Sequence, residues 1–462
     1  MVTLMKNLKI GVIGAGSAIW SSNFIIDLSL NPGFKGSIVT LMDIDRDRLE
    51  TVTKFARRYS SERKSEINFE MTLERRKAIE DSDVVINLAM AGGHSYYERM
   101  RRISEKYGYY RGINSVEWNM VSDYHTIWGF KQFKLAMEIA NDLERYSQDS
   151  WLIQISNPVL ELTTLLGRKT KLRIIGLCHG HLDAGMIASA MGLNEKDMLM
   201  ESIGLNHTIW LTKFMRDGRD EYPTLREWIE QEYENFYKDW LQMSESSPFL
   251  SQMSPAMVDM FRTYGLVPVG DTVRSGTWKY HRDLKTKKRW YGGMGGFDSG
   301  RGWNYYLHLE REAVRELKMA VKDETVTLSS LYPPEMSREP VIPLIDSILN
   351  DKGMVHQVNV INEGAVDGIP DNVAAEFPAF VDGKGVHRKG PKNIPSRILH
   401  FSIYPRIMRM EWAIDAFLEG GRQTLEQWLI DDPRTRNERQ VNSVIEAILS
   451  MPENQDMARH FR

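Results

Sequence analysis

The sequence predicts an α/β protein, with a doubly wound parallel sheet at its N-terminus and a C-terminal α+β lobe. Three observations predict it: β-rich runs alternate with helical runs over the first 200 residues, a glycine-rich turn follows the first run directly, and the rhythm changes after Gly204. The β-rich runs are Leu8–Ile13, Ser37–Met42, Val84–Ala89, Trp151–Ser156 and Arg173–Leu177, each of the length a buried strand takes. Between them, Asp45–Tyr59 and Thr126–Glu144 carry apolar residues at three- and four-residue spacing, as crossover helices do. Beyond Gly204, Val355–Ile361 and Val373–Val381 read as strands. Tyr404–Leu418 reads as a helix opened by Pro405 and closed by Gly420-Gly421. The stretch Asp283–Gly300, with Gly292, Gly293, Gly295 and Gly296 beside Lys and Arg, is expected to be a mobile flap.

At 462 residues the chain exceeds a typical single domain. Its hydrophobic share of 42% and charged share of 26% are those of an ordinary globular protein, and a formal net charge of -3 gives no basic footprint for nucleic acid. A small molecule is the expected partner. No apolar run approaches the ~20 residues that span a bilayer. The start, Met1 to Lys9, lacks the apolar core of a signal peptide, so the expected location is the cytoplasm, with no membrane partner. The single cysteine, Cys178, excludes an intramolecular disulfide and leaves one thiol for chemistry or packing.

The run Ile10-Gly11-Val12-Ile13-Gly14-Ala15-Gly16-Ser17 puts a glycine turn between the first strand and a helix. Gly14 permits the turn, Gly16 lets backbone approach a pyrophosphate, and Ser17 opens a helix whose N–H groups and dipole favour the anion. The third glycine of the usual pattern is absent, since position 19 is Ile. Asp43, 27 residues beyond Gly16 and at the end of the second strand, is the expected acceptor for an adenosine ribose, ahead of Asp45. A carboxylate there disfavours a 2′-phosphate. A Rossmann-type sheet binding NAD in preference to NADP is therefore expected, with residues 1–200 as the NAD-binding domain and 201–462 as the α+β catalytic, substrate and oligomerisation domain.

Three later segments each follow a β-like stretch, where an open α/β sheet presents loops to ligand: Ile155-Ser156-Asn157-Pro158, Gly176-Leu177-Cys178-His179-Gly180 and Gly204-Leu205-Asn206-His207. With the glycine turn in front, this set in this order resembles glycoside hydrolase family 4, the NAD- and manganese-dependent glycosidases. Tyr107–Gly112 through Asn119–Asp123, and Pro268-Val269-Gly270-Asp271-Thr272-Val273-Arg274, resemble its α-glucosidase, α-glucuronidase and α-galacturonidase branch. The resemblance implies that Cys178 and His207 are the two protein ligands of a divalent ion. Two protein donors leave positions for substrate and water, and a soft thiolate holds a hard ion such as manganese loosely. It further implies that Asn157 binds the sugar and that Asp123 is an active-site carboxylate near metal and nicotinamide. Taken alone, a single Cys is more often a small hydrophobe and Asp123 a helix N-cap.

The implied chemistry departs from the paired-carboxylate route. NAD takes hydride from sugar C3, a base removes the acidified C2 proton, the leaving group departs from C1 with acid assistance, water adds, and hydride returns. His179 is the expected acid, because imidazole donates near neutral pH. Asp271 is the expected base, with Tyr264 its rival. The region after Arg111 and the motif Cys178-His179-Gly180-His181 imply an unphosphorylated α-glucoside or α-hexuronide. Arg274 is the candidate for a substrate carboxylate, with Lys279 beside it. An NAD-dependent dehydrogenase of a small hydroxy acid and a non-catalytic NAD sensor are the competing readings. A homodimer or homotetramer is the general expectation for such enzymes.

Overall fold

The structure, a computed structural model, describes residues 8–110, 129–275, 278–390 and 392–462. Among these residues the spine is one sheet of 13 strands. In chain order these are β1 (Lys9–Ile13), β2 (Ile38–Met42), β3 (Asn68–Thr72), β4 (Val84–Asn87), β5 (Trp151–Gln154), β6 (Arg173–Gly176), β7 (Met198–Leu205), β8 (Thr208–Arg216), β9 (Arg219–Asp220), β10 (Val267–Val269), β11 (Met354–Ile361), β12 (Ala374–Asp382) and β13 (Gly385–His387). The first six run parallel in the order β3-β2-β1-β4-β5-β6. This is the doubly wound nucleotide-binding order, with its switch point between β1 and β4. Parallel strands are covered on both faces, which is why Ile10, Val12, Val39, Leu41, Val85, Ile86, Leu152 and Ile153 are all fully buried. The sequence reading missed β3. It is an edge strand in which Phe69 alone is buried, so no apolar pattern marks it.

The parallel block does not stop at β6. It continues antiparallel into β11 at Asn359 opposite Gly176, then into β12, and from Glu376 opposite Gly204 into β7, β8 and β10. One apolar cluster runs from Leu8 to Ile414, and a second, including Tyr96, Trp303, Trp428 and Val444, binds the C-terminal helices to the helix Gly93–Lys106. Sheet and core thus cross residue 200 without a break.

The expected helices appear as Arg46–Arg63, capped by Asp45, as Phe130–Tyr146, and as Tyr404–Glu419, which ends at Gly420 with φ 75°. The expected flap is instead a packed element. Leu284–Tyr291 is a helix, and Lys287, Tyr291, Asp298 and Ser299 are buried around the turn that follows. Its glycines serve close approach: a Cβ on Gly293 would lie 1.7 Å from Glu245 Oε1. Among the described residues no helix is long and apolar enough to cross a membrane.

Candidate active site

The parallel strands deliver their loops to one edge of the sheet, and the nucleotide-type turn is built there from backbone. Gly14 has φ 89°, and the N–H groups of Gly14 and Ala15 both donate to Met42 O at 2.9 Å. A Cβ on Gly14 would fall 2.6 Å from Ala89 Cα, so only glycine fits between the ends of β2 and β4. Gly16 N–H donates to Asp43 Oδ2 at 2.7 Å, and Asp45 N–H donates to Asp43 Oδ1 at 2.8 Å. Asp43 is thereby locked onto the turn. Asp45 is used otherwise, accepting from Arg48 N–H at 3.1 Å as the helix cap. Ser17 is the N-cap of the helix Ala18–Leu30 and makes no side-chain capping bond.

At the end of β5, the N–H groups of Ile155 and Ser156 both donate to Asn87 O at 2.9 Å. Asn87 Nδ2 donates to Gln154 Oε1 at 3.0 Å, and Gln154 Nε2 donates to Ser156 Oγ at 2.7 Å. Gln132 Nε2 donates to the same hydroxyl at 3.2 Å. This buried lattice presents Asn157, whose peptide to Pro158 is cis, with its Oδ1 buried and without a hydrogen-bond partner among the described residues. A buried acceptor left open costs about 1–3 kcal/mol unless a ligand satisfies it. A sugar hydroxyl fits that position.

The metal candidates come from β6 and from the two-residue turn between β7 and β8. Leu205 pairs with Thr208, which leaves Asn206 and His207 at the tip and forces His207 to φ 60°. Asn206 Nδ2 donates to the buried Glu376 at 3.1 Å and also reaches the Cys178 thiol. His207 Nε2 stands 3.1 Å from Asp271 Oδ2. Burial holds the His207 imidazole down to about 4, so it is neutral at pH 7 and Nε2–H donates to the carboxylate, which leaves the lone pair on Nδ1. The loops after β6 and β10 touch backbone to backbone: a Cβ on Gly270 would lie 2.6 Å from Gly180 O, and one on Gly180 would lie 3.7 Å from Cys178 Sγ and 3.9 Å from Asp271 N. Cys178, His207 and Asp271 therefore converge. Among the described residues no group of three or more His, Cys, Asp or Glu side chains is arranged to hold a metal.

Each titratable group here is shifted by its neighbours. Burial pushes the Cys178 thiol well above its ordinary range, and the charges of Glu376 and Asp271 add to the effect. Burial also pushes Asp271 up, but the Arg274 guanidinium and His207 outweigh it and hold the carboxyl at about 2. His179 is raised to about 9 by its hydrogen bond to Glu339, 3.3 Å from Nδ1, against the pull of burial. Asp183, on the same loop and absent from the sequence reading, is raised to about 6 by burial and by Asp271. Its signal was available as the carboxylate closing His181-Leu182-Asp183. Glu376 is raised to about 7 by burial.

Tyr264 ends the helix Pro255–Tyr264, before β10, with its ring edge-on to Trp210 at 5.0 Å, and Asp271 follows β10. Arg274 is paired inside the site: its Nε donates to Asp271 Oδ1 and its Nη1 to Asp298 Oδ1, both at 3.0 Å, with 7% of the residue exposed. Lys279 is paired with Asp259. Asp123 and its motif lie outside the described residues.

A doubly wound sheet that offers a glycine turn, an open Asn acceptor and a Cys–His pair to one edge defines an enzyme site on a nucleotide-binding fold. The comparisons with known proteins narrow this to a family. The model for the family 4 glycosyl hydrolases matches residues 9–193, and that for the family's C-terminal domain matches residues 202–435. The chain belongs to family 4 of the glycosyl hydrolases and is a glycosidase, which sets aside the dehydrogenase and sensor readings. It is similar to an α-galacturonidase of Thermoanaerobacter italicus, 22% identical over 94% of this chain and 93% of the relative. It is also similar to an α-galactosidase of Bacillus subtilis, 22% identical over 95% of each chain. In fold it matches a 6-phospho-α-glucosidase from gut microorganisms, solved in complex with NAD and Mn2+, with a TM-score of 0.76, 18% identity, and coverage of 99% of this chain and 100% of that one.

Proposed function

We propose that this enzyme hydrolyses an unphosphorylated α-glycoside, an α-glucoside or α-hexuronide, using NAD and a divalent ion, manganese or a competitor for its site. The observation that carries this reading is the convergence of Cys178, His207 and Asp271 on the sheet edge that also carries the nucleotide-type turn, which direct displacement by two carboxylates would not need. Two of the relatives, an α-galacturonidase and an α-galactosidase, are named for unphosphorylated α-linked substrates, which supports this reading.

In this reading Gly14, Gly16 and Ser17 cradle the pyrophosphate and Asp43 accepts from the adenosine ribose. Asn157 Oδ1 accepts from a sugar hydroxyl, while Cys178 and His207 hold the ion. When bound, NAD is a reversible hydride acceptor for sugar C3, and the ion polarises the carbonyl formed there. Asp271 takes the C2 proton that this carbonyl acidifies. His179 gives a proton to the departing oxygen at C1, and Asp183 is a second proton holder on the same loop. Water then adds at C1 and Asp271 returns the proton to C2, and a bound NAD would supply the hydride that restores C3. Asp123 is retained as a carboxylate of the same site. Residues 1–200 supply the nucleotide half together with Asn157, Cys178 and His179, and 201–462 supply His207 and Asp271, in a cytoplasmic homodimer or homotetramer.

Incubating the enzyme with NAD, Mn2+ and a panel of 4-nitrophenyl α-glucoside, α-galactoside, α-glucuronide and α-galacturonide tests the reading. Nitrophenol release without net NADH is expected from at least one substrate. Net NADH, or no release across the panel, would overturn it.

A further inference from the structure

The loop that carries Asp271 is held from behind, and we infer that Asp298 is a positioning residue for the reaction, acting on Asp271 through Arg274. The inference rests on Asp271 being the base. Asp271 and Asp298 grip one guanidinium from two sides: Arg274 Nε and Nη2 donate to Asp271 Oδ1 at 3.0 and 2.5 Å, and Nη1 donates to Asp298 Oδ1 at 3.0 Å. Arg274 is 7% exposed and Asp298 3%. The guanidinium also stands 4.9 Å over the ring of Phe297, the residue before Asp298. Because a guanidinium is planar and rigid, fixing one arm of the fork fixes the other.

Asp298 is itself anchored. Ser299, the next residue, accepts from Gly302 N–H at 2.9 Å as cap of the helix Gly300–Lys322, and its hydroxyl donates to Gly296 O at 2.9 Å. A Cβ on Gly302 would lie 2.2 Å from Gly296 O, so this turn is pressed onto the helix. A second tie runs from Tyr291 OH to Val273 O at 2.9 Å. The segment between Leu284 and Ser299 therefore holds the Asp271 loop at two points, one through a side-chain relay and one through backbone.

Proton abstraction needs the carboxylate within hydrogen-bond reach of the sugar, and a displacement of about 1 Å costs on the order of 10²-fold. With Asp298 gone, Arg274 would follow Asp271 instead of holding it. Asp298→Ala in the full chain, assayed with NAD, Mn2+ and the best 4-nitrophenyl α-glycoside of the panel, is expected to lower kcat by about 10–100-fold while KM and NAD affinity hold. A substrate deuterated at C2 should then show a larger isotope effect than in the wild type, because deprotonation has become the slower step. Asp298→Asn keeps an acceptor oxygen and should recover most of the rate. In an Asp271→Asn background, Asp298→Ala should cost nothing further, since the route through Asp271 is already lost.

An unchanged kcat and isotope effect in Asp298→Ala, or an equal loss in both backgrounds, overturns the positioning role. If Asp298→Ala does not fold, Asp298→Ser, which removes the carboxylate and leaves a small polar group, decides by its isotope effect, raised in this account and unchanged otherwise. The two readings fail separately. Full activity in Asp271→Asn removes the base and this inference with it, whereas loss in Asp271→Asn beside an unaltered Asp298→Ala removes the inference alone.

Discussion

The nucleotide-type turn and the catalytic loops sit on the same edge of one sheet, yet they are made of different material. From Gly14 to Asp43 the site is backbone: N–H groups meet Met42 O, and the Asp43 carboxylate is fixed by the N–H groups of Gly16 and Asp45. From Cys178 to Asp271 it is titratable side chains: burial raises Asp183 and Glu376 and lowers His207, while Glu339 raises His179 and the Arg274 guanidinium with His207 lowers Asp271, both against burial. The first region is continuous in sequence and needs β1, β2 and β4. The second closes only after β11, β12, β7 and β8 have extended the sheet, because Asn206 and His207 ride on that extension. Binding a cofactor asks for a fixed shape; moving protons asks for groups that set each other's charge.

If that contrast is right, damage to the two regions should differ in kind. The largest effect is expected at the ion site: Cys178→Ser and His207→Ala should each take glycoside turnover to background while NAD still binds, because each removes one of two donors and little core volume. Turnover of the aryl substrates and NAD titration by protein fluorescence measure the two separately. Wild-type rates in a folded Cys178→Ser protein would exclude the thiol. A smaller effect is expected at the turn, where Asp43→Ala should weaken NAD by on the order of 1.5–3 kcal/mol, about 10–150-fold, and admit NADP, with kcat at saturating NAD kept. Undiminished NAD affinity would make Asp43 a spacer.

The smallest effect concerns the support beneath the catalytic loops. Glu376 holds its proton to about pH 7 in the folded chain, chiefly through burial, against an ordinary value of 4.5. Folding therefore takes up a proton between these values: the stability Glu376 contributes is complete below about pH 4.5 and is lost as pH rises through about 7. Glu376→Gln should gain on the wild type by a few degrees in Tm between about pH 5 and about pH 8, read by scanning calorimetry. A Tm difference that does not change with pH would show that Glu376 is ionised throughout.

The same contrast explains what was legible in the chain. Apolar runs marked β1, β2, β4, β5 and β6 because parallel strands are buried on both faces. The glycine turn and Asp43 could be read because their chemistry lies within one βαβ unit. Cys178, His207, Asn157 and Asp271 stood out through their motifs, yet their convergence depends on pairings such as Glu376 with Gly204 that no local pattern announces. Asp183, Glu376 and Asp298 went unread for that reason: their environments come from residues more than 20 positions away in sequence, Asp271 for Asp183, Asn206 for Glu376 and Arg274 for Asp298. The pairing of Arg274 with Asp271 and Asp298 went unread because a sequence shows a charge but not its partners. The glycines of 292–296 suggested motion, where the fold uses them for close packing.

The central claim, that a C2 proton is removed during hydrolysis, is tested most directly by running many turnovers in heavy water and examining the released sugar by NMR. The account predicts solvent deuterium at C2, and its loss together with turnover in Asp271→Asn while NAD still binds. Product that keeps its original C2 hydrogen, with the base free to exchange with solvent, would contradict the account and point to direct displacement at C1.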